Sequence, residues 1–326
     1  MVRLINQTQI ETLLEMEELI QVMEKAHAEF TAGKSLQPPR SGFVLSKHKG
    51  LMETLSCYLE ESDQLGVKIL NSRARNPAQG HPFIYATVLL ISVETGDLKA
   101  ILEGGSITAA RTAASSAVST KYLSRQDSSN LAIIGTGRQG RTHLQAITVT
   151  RPIRRITIYD KDRNSATRFR KEMSLHFRQP IEIASSVEET VESADVIALC
   201  TSSNRPVLLG KWVKPGTHIT SIASYSPEVR EVDSDLFAVA KVVADSKTEA
   251  LEHAGDVLIP LQEGRVTRDC IYGELGELCS GKIPGRKNDE EITLYKSMGL
   301  AVQDIAAANY LYEKACEHEL GAEIKF

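Results

Sequence analysis

Three cations stand in settings that suit a charge poorly. Arg40 follows two prolines, Lys68 lies inside the apolar run GVKIL, and Arg111 sits in the middle of GGSITAARTAASSA, residues 104–117. That last stretch is almost wholly Gly, Ala, Ser and Thr, so backbones can approach closely around it. A guanidinium there must meet a partner or bear a large desolvation cost. Two guanidiniums can clamp one carboxylate through two-pronged hydrogen bonds, which an ammonium cannot do. Lys68 leaves two readings open. Strand neighbours point to opposite faces, so it can be a solvated ammonium on a half-exposed sheet. Alternatively it is a buried ammonium whose depressed pKa lets it lend a proton.

A second constellation is IIGTGRQG, residues 133–140, a G-x-G-x-x-G run after an apolar strand-like segment and before the helix-compatible RTHLQAI. Gly135 suits a tight turn, Gly137 lets the backbone approach a pyrophosphate, and Gly140 permits close helix–strand packing. Asp160 closes the next strand-like run, RITIYD, at the spacing of about 20 residues expected for a ribose-binding carboxylate. There it would accept from the ribose hydroxyls and repel a 2′-phosphate, favouring NAD(H), while Lys161 and Arg163 keep NADP(H) open. The bland alternative is an acid that caps a turn. Thr201 and Ser202 end another strand on the edge that faces a cofactor in such folds, and a simple turn pair explains them equally well.

The elements that must position these groups divide into two textures. Residues 17–32 carry Leu19, Val22, Met23, Ala26 and Phe30 at helical spacing, closed by Gly33. Residues 51–102 hold the strand-like runs LMETLSCY, GVKILNS, FIYATVLLISV and LKAIL, with ETGD as a hairpin turn before the last, a pattern predicting an antiparallel meander. Beyond the polar KYLSRQDSSN come LAIIG, RITIYD, IEIAS, DVIALCT, HITSIA and KVVADS, mostly separated by helical stretches, which predicts a doubly wound parallel sheet. Residues 299–318 read as a last helix that returns to the first domain. The expected class is therefore α/β: a Rossmann-type domain over 122–299, and an α+β domain with a mainly antiparallel sheet over 1–121 and 300–326.

Bulk properties narrow the function. The chain has 326 residues, 42% hydrophobic and 25% charged, with a net charge of −4, so no electrostatic case exists for nucleic acid or an anionic membrane. No apolar run reaches the ~18 residues of a membrane helix. The first residues carry acids where a signal peptide would be apolar, and the five cysteines lack C-x-x-C spacing. Reduced thiols and a cytoplasmic location are expected. The eight histidines are scattered singly, and no metal site is expected.

Taken together, QPPR, GVKIL, TGDLKAILEGGSITAARTAA, IIGTGRQG, SADVIALCTSS, EHAGDVLIP, GELGEL and KSMGLAVQDIAAA span nearly the whole chain. In these stretches the sequence resembles the ornithine cyclodeaminase/μ-crystallin family. The resemblance implies a Rossmann domain inserted into a substrate domain, and a homodimer that pairs the substrate-domain sheets, which makes 1–121 and 300–326 the substrate and dimerisation domain. It makes Arg40 and Arg111 the ligands of a substrate α-carboxylate, Lys68 the ammonium beside an imine, and Glu53 a further acid of the pocket. It assigns Gly137, Arg138 and Gln139 to the pyrophosphate, with Gly135 and Gly140 shaping the loop. Asp160 would hold the adenosine ribose, and Ser297 and Met298 the nicotinamide end. Thr112, beside Arg111, would also face the cofactor.

Two departures bear on activity. The family's deaminases carry a catalytic Asp in a strand-end motif that reads SIASYSPEVREVD here, residues 221–233, and Tyr225 stands in its place. A phenol of pKa ~10 is a poor base near neutrality but can donate a hydrogen bond. Phe83 replaces a Thr common in the family. The implied activity is NAD(P)H-dependent reduction of a cyclic imino acid, with Lys68 and Tyr225 as the catalytic pair. The alternatives are ornithine cyclodeamination with catalytic NAD, an alanine dehydrogenase-like reaction, or a non-catalytic cofactor-bound binding protein.

Overall fold

The computed structural model describes residues 1–76, 79–223 and 226–325, and these form two compact units. The first comprises Met1–Arg111 and Leu300–Phe326, the second Thr112–Gly299. The chain passes between them at Arg111/Thr112, earlier than the polar stretch near residue 122 suggested. The reason is local: Gly104–Leu123 is one uninterrupted helix.

In the first unit, β1 (Val2–Ile5) leads into α1 (Gln7–Leu13) and α2 (Met16–Thr31). Gly33 ends α2 with φ +73, a left-handed conformation that a side chain would resist. Strands β2 (Ser35–Leu36), β3 (Ser41–Leu45), β4 (Gly50–Leu59), β5 (Gln64–Arg73), β6 (Ile84–Ile91) and β7 (Leu98–Glu103) follow. The meander β4–β5–β6–β7 is antiparallel as its alternation predicts, and the ETGD turn closes through Ser92 N–H donating to the Asp97 carbonyl at 2.8 Å. The sheet is mixed rather than purely antiparallel, because β1 runs parallel beside β7.

Its two faces differ. Leu55, Cys57, Lys68, Val88, Leu90 and Leu102 are buried on one. On the other, Leu65, Val67, Ile69, Leu89, Ile91 and Ile101 remain half-buried. Helix α3 (Gly104–Leu123) begins directly after β7, where the Glu103 carboxylate accepts from Gly105 N (2.6 Å) and Ser106 N (2.8 Å) and so satisfies first-turn donors.

The second unit is an eight-stranded parallel sheet. Its strands in chain order are β8 (Asn130–Ile134), β9 (Arg155–Tyr159), β10 (Ile181–Ile183), β11 (Val196–Leu199), β12 (His218–Ser221), β13 (Lys241–Ala244), β14 (Ile271–Glu274) and β15 (Thr293–Lys296). In space they run β10-β9-β8-β11-β12-β15-β13-β14. The connecting helices are α4 (Arg138–Thr150), α5 (Arg163–Met173), α6 (Val187–Val191), α7 (Ser234–Val239), α8 (Lys247–His253), α9 (Gly255–Gln262) and α10 (Leu275–Cys279). Alternate strand residues feed separate cores: Ile134, Ile197 and Leu199 into one, Ile133, Val196 and Ala198 into the other. Both faces are therefore covered, as a parallel sheet requires. The last helix, α11 (Ala301–Glu317), belongs to the first unit and packs on α2, β4, β5 and β6; β16 (Ala322–Ile324) then pairs with β1. Among the described residues no helix is long and apolar enough to cross a membrane.

Three fully buried histidines give the fold a pH limit. Burial lowers His27 to about 3 and His143 to about 4, and holds His218 well below its ordinary value. The unfolded chain takes up these protons near pH ~6.5 and the folded chain does not, so stability is full above that pH and falls as pH drops through it. The limiting slope is about 1.4 kcal/mol per pH unit for each histidine. Urea unfolding at descending pH should show a midpoint falling steeply below pH ~6, and His143→Gln should flatten that fall by roughly a third.

Candidate active site

The cation-bearing site lies within the first unit. Strand β5 places Lys68 on the buried face, opposite Leu55 of β4 and Val88 of β6. The solvated reading therefore fails: Lys68 is 1% exposed. Its Nζ donates to Asp304 Oδ2 at 2.7 Å and to Thr108 Oγ1 at 3.4 Å. Arg111, on α3, donates from Nε to Asp304 Oδ1 at 2.9 Å and from Nη1 to Gln303 Oε1. Nη2 meets no acceptor among the described residues. One buried carboxylate thus joins both cations. Gln303, in the first turn of α11, also accepts from Leu300 N and donates to His27 Nε2 at 3.2 Å.

Electrostatics follow from this packing. Burial lowers Lys68 to about 8; Asp304 opposes the fall, and Arg111 and Arg40 add to it. Burial pushes Asp304 up, but Arg111 and Lys68 more than offset that and hold its carboxyl below the usual carboxylate range. Arg40 is half-buried just before β3, and Gln37 of the same QPPR segment accepts from Val302 N at the start of α11. Glu53 lies on β4 opposite Leu70, one step along the same face from Leu55. The structure thus gathers Arg40, Lys68 and Arg111 around the start of α11.

Sequence reasoning missed Asp304 and Gln303. The signal was the acid of AVQDIAAA, a charge in an apolar helix, which is the same anomaly that singled out Lys68 in its strand.

In the second unit the glycine loop follows β8. Gly135 has φ +96, and a Cβ there would lie 2.3 Å from the Cys200 carbonyl oxygen. A Cβ on Gly140 would lie 2.3 Å from the Gly135 oxygen, while one on Gly137 would meet nothing within 4 Å. Gly137 is also the N-cap of α4 with no side-chain cap bond, so the first-turn N–H groups stay available to an anion. Arg138 is exposed on that turn, and the buried side-chain oxygen of Gln139 finds no partner among the described residues. Asp160 accepts from Thr136 N and Oγ1, both at 2.8 Å, and from Asp162 N at 2.9 Å. It braces the loop through Oδ2, which takes both Thr136 bonds, while Oδ1 keeps one accepting position. These features fit a dinucleotide.

The remaining candidates are placed as follows. Thr112 is buried on α3. The Thr201 hydroxyl donates to Glu231 at 2.9 Å and accepts from Ser203 N, a turn role, while Ser202 is exposed. Ser297 Oγ and Met298 N donate to the buried Asp245 carboxylate at 3.2 and 2.8 Å. Tyr225 lies outside the described residues. Its flanks are tied to a cluster of Glu231, Asp256 and Lys296, each 0% exposed. Glu231 Oε2 accepts from Ile222 N, Ala223 N and Ser221 Oγ, and Asp256 pairs with Lys296 at 3.2 Å. Burial pushes Glu231 above its usual range, with Lys296 opposing.

The whole arrangement has relatives. A model of the ornithine cyclodeaminase/mu-crystallin family matches residues 1–319. The chain is 36% identical over 315 residues to a Delta(1)-pyrroline-2-carboxylate reductase of Bacillus cereus, covering 96% of this chain and 97% of that protein. The structure of the Thermococcus litoralis Delta(1)-pyrroline-2-carboxylate reductase, in complex with NADH and L-proline, superposes with a TM-score of 0.96 at 38% identity, over 99% of this chain and 100% of that one. An archaeal alanine dehydrogenase dimer with bound NAD gives 0.93 at 31% identity, over 100% and 99%.

The second and third glycines of the motif separate fold from binding. Gly140→Ala forces its methyl against a backbone oxygen and should cost roughly 1–3 kcal/mol of stability. Gly137→Ala should leave the thermal midpoint unchanged yet weaken dinucleotide binding, because its methyl enters the space open to a phosphate. Thermal melts and a dinucleotide titration of both variants check this.

Proposed function

This chain belongs to the ornithine cyclodeaminase/mu-crystallin family, and from that premise we propose that it is an NAD(H)-dependent oxidoreductase that reduces the C=N bond of a cyclic imino acid. Δ1-Pyrroline-2-carboxylate, giving proline, is the substrate best supported by the relatives, and Δ1-piperideine-2-carboxylate is its six-membered counterpart. The observation that carries this reading is the buried Lys68 ammonium beside Arg111, with two cations sharing a single carboxylate. The excess positive charge calls for an anionic substrate. Arg111 offers its remaining edge to the substrate carboxylate, and Arg40 offers a second guanidinium. So held, the carboxylate fixes the ring through C2, and orientation of this kind supplies much of a rate. The Lys68 ammonium gives its proton to the lone pair of the imine nitrogen, leaving a neutral amine on Lys68 and an iminium whose C2 is electrophilic. Glu53 lines the same pocket.

When bound, the reduced nicotinamide supplies hydride to C2. Gly135, Gly137, Arg138, Gln139 and Gly140 would cradle the pyrophosphate, and Asp160 the adenosine ribose. Thr112, Thr201, Ser202, Ser297 and Met298 would line the rest of that site. Tyr225 stands where the family's deaminases carry an ionised base. Attack of water on an iminium needs such a base and hydride addition does not, so the substitution favours reduction. The half-buried apolar face of the first unit's sheet supports a homodimer built on that face, and the free cysteines fit the reducing cytoplasm.

Two assays test the reading. NADH oxidation with Δ1-pyrroline-2-carboxylate should exceed ammonia release from ornithine with NAD by orders of magnitude; the opposite order would make the protein a cyclodeaminase. Tyr225→Asp should raise the deamination signal. For the cofactor, Asp160→Ser removes the carboxylate that repels a 2′-phosphate while the exposed Lys161 and Arg163 remain, so the ratio of kcat/KM with NADH to that with NADPH should fall at least tenfold. A wild type already tenfold better with NADPH would overturn this assignment.

A further inference from the structure

We propose that Asp304 is the positioning residue of this site: its one carboxylate, shared between the Lys68 ammonium and the Arg111 guanidinium, keeps Lys68 charged and fixes the edge that Arg111 presents to an anionic substrate. The proposal rests on the reading of Lys68 as the group beside the imine.

The geometry requires a carboxylate. Each oxygen serves a different cation, Oδ2 the ammonium at 2.7 Å and Oδ1 the guanidinium Nε at 2.9 Å. An amide has one acceptor and would set a donor against the other cation. The side chain is fully buried, so no solvent replaces it. The adjacent Gln303 holds Nη1 of Arg111 and is itself held by Leu300 N and His27. Successive residues of α11 therefore grip the same guanidinium through Nε and Nη1.

The balance of charge gives this grip a consequence for pH. Asp304 and Arg111 cancel, and the protonated Lys68 leaves the excess positive charge that draws a substrate carboxylate. The groups around it come from every packed element: Thr108 and Arg111 on α3, Arg40 before β3, Cys57 and Glu53 on β4, His27 and Glu29 on α2. Burial holds His27 neutral down to about 3, and burial with Glu29 and Asp304 pushes Cys57 up to about 12, so neither changes charge near neutrality. Lys68, at about 8, does. As Lys68 loses its proton, the imine loses its proton source and the site loses its net attraction for an anion. Turnover should fall and KM rise together above about pH 8.

The experiment uses the whole protein labelled with [13Cε]lysine, with the Lys68 signal identified by its absence in Lys68→Arg, and follows that signal against pH in wild type, Asp304→Asn and Arg111→Gln. Removing the anion should lower the Lys68 midpoint by about one pH unit or more, and removing the competing cation should raise it. The kcat/KM profile for Δ1-pyrroline-2-carboxylate with NADH should show its alkaline limb moving down in Asp304→Asn, and Asp304→Glu should recover part of the shift. Dinucleotide binding by the variants reports that they fold. Should Asp304→Asn not fold, the opposite shift in Arg111→Gln still decides. A Lys68 midpoint that stays put in the folded variants overturns the proposal. Midpoints that shift in a wild type unable to reduce imines would leave Asp304 as the positioning residue and remove the reductase reading instead.

Discussion

A charge taken out of water must meet a fixed opposite charge, and the first unit buries an ammonium and a guanidinium against a single carboxylate. Much of its architecture follows from that constraint. Lys68 reaches the carboxylate only from the covered face of the meander, so the register of β4, β5 and β6 sets its position. Arg111 reaches it only from the second turn of α3, whose start is fixed by the Glu103 cap directly after β7. The carboxylate itself arrives late in the chain, on α11, and the helix must come back to the first unit to deliver it. Removing one partner from such a cluster typically costs about 3–5 kcal/mol, so stability and the site's electrostatics depend on the same atoms.

The second unit solves a related problem with the opposite sign. There Glu231 and Asp256 are buried against one ammonium, Lys296, and Glu231 responds with a raised pKa. Their remaining lone pairs are filled by backbone N–H groups: Ile222 and Ala223 on Glu231, and Glu231 and Val232 on Asp256. The cluster thus fastens backbone on both sides of the Tyr225 segment. Asp245 does the same for Ser297–Gly299 through one oxygen. The glycine loop is braced by Asp160 through Thr136 N and Oγ1, and the absence of Cβ atoms at Gly135 and Gly140 lets its backbone pass where a Cβ would lie 2.3 Å from a carbonyl oxygen. Irregular backbone in this unit is held by acids at the strand ends and by glycine where a Cβ would collide.

The central elements were legible because they repeat a period over enough residues. Strands β4 to β13 in the two sheets, α2 and α11 all follow from alternation or helical spacing. β14 and β15 were missed because polar residues interrupt their short apolar runs, IYGE and TLYK, and β1 and β16 because they have only four and three residues. Helix α3 was hidden for a different reason: buried nearly all round, it has no polar face to mark a period. Among site residues, the glycine loop, Asp160, Lys68 and Arg111 announced themselves as anomalies of type or spacing. What the sequence could not carry was partnership. Nothing local says that Arg111 meets residues 303 and 304 across nearly two hundred positions, and Asp304 lies inside the stretch 299–318 that the sequence marks only as a helix.

The charge excess also explains why such a site suits reduction. On the proposed reading, the positive charge that starts on Lys68 passes to the imine nitrogen, where it makes C2 electrophilic. Adding hydride cancels that charge and yields a neutral amine. Water attack would need a nearby carboxylate to take the departing proton, and Asp304 is committed to two cations. On the same reading a substrate carboxylate would enter as the second anion beside Asp304, so that the two guanidiniums and Lys68 would face opposing charge on both sides.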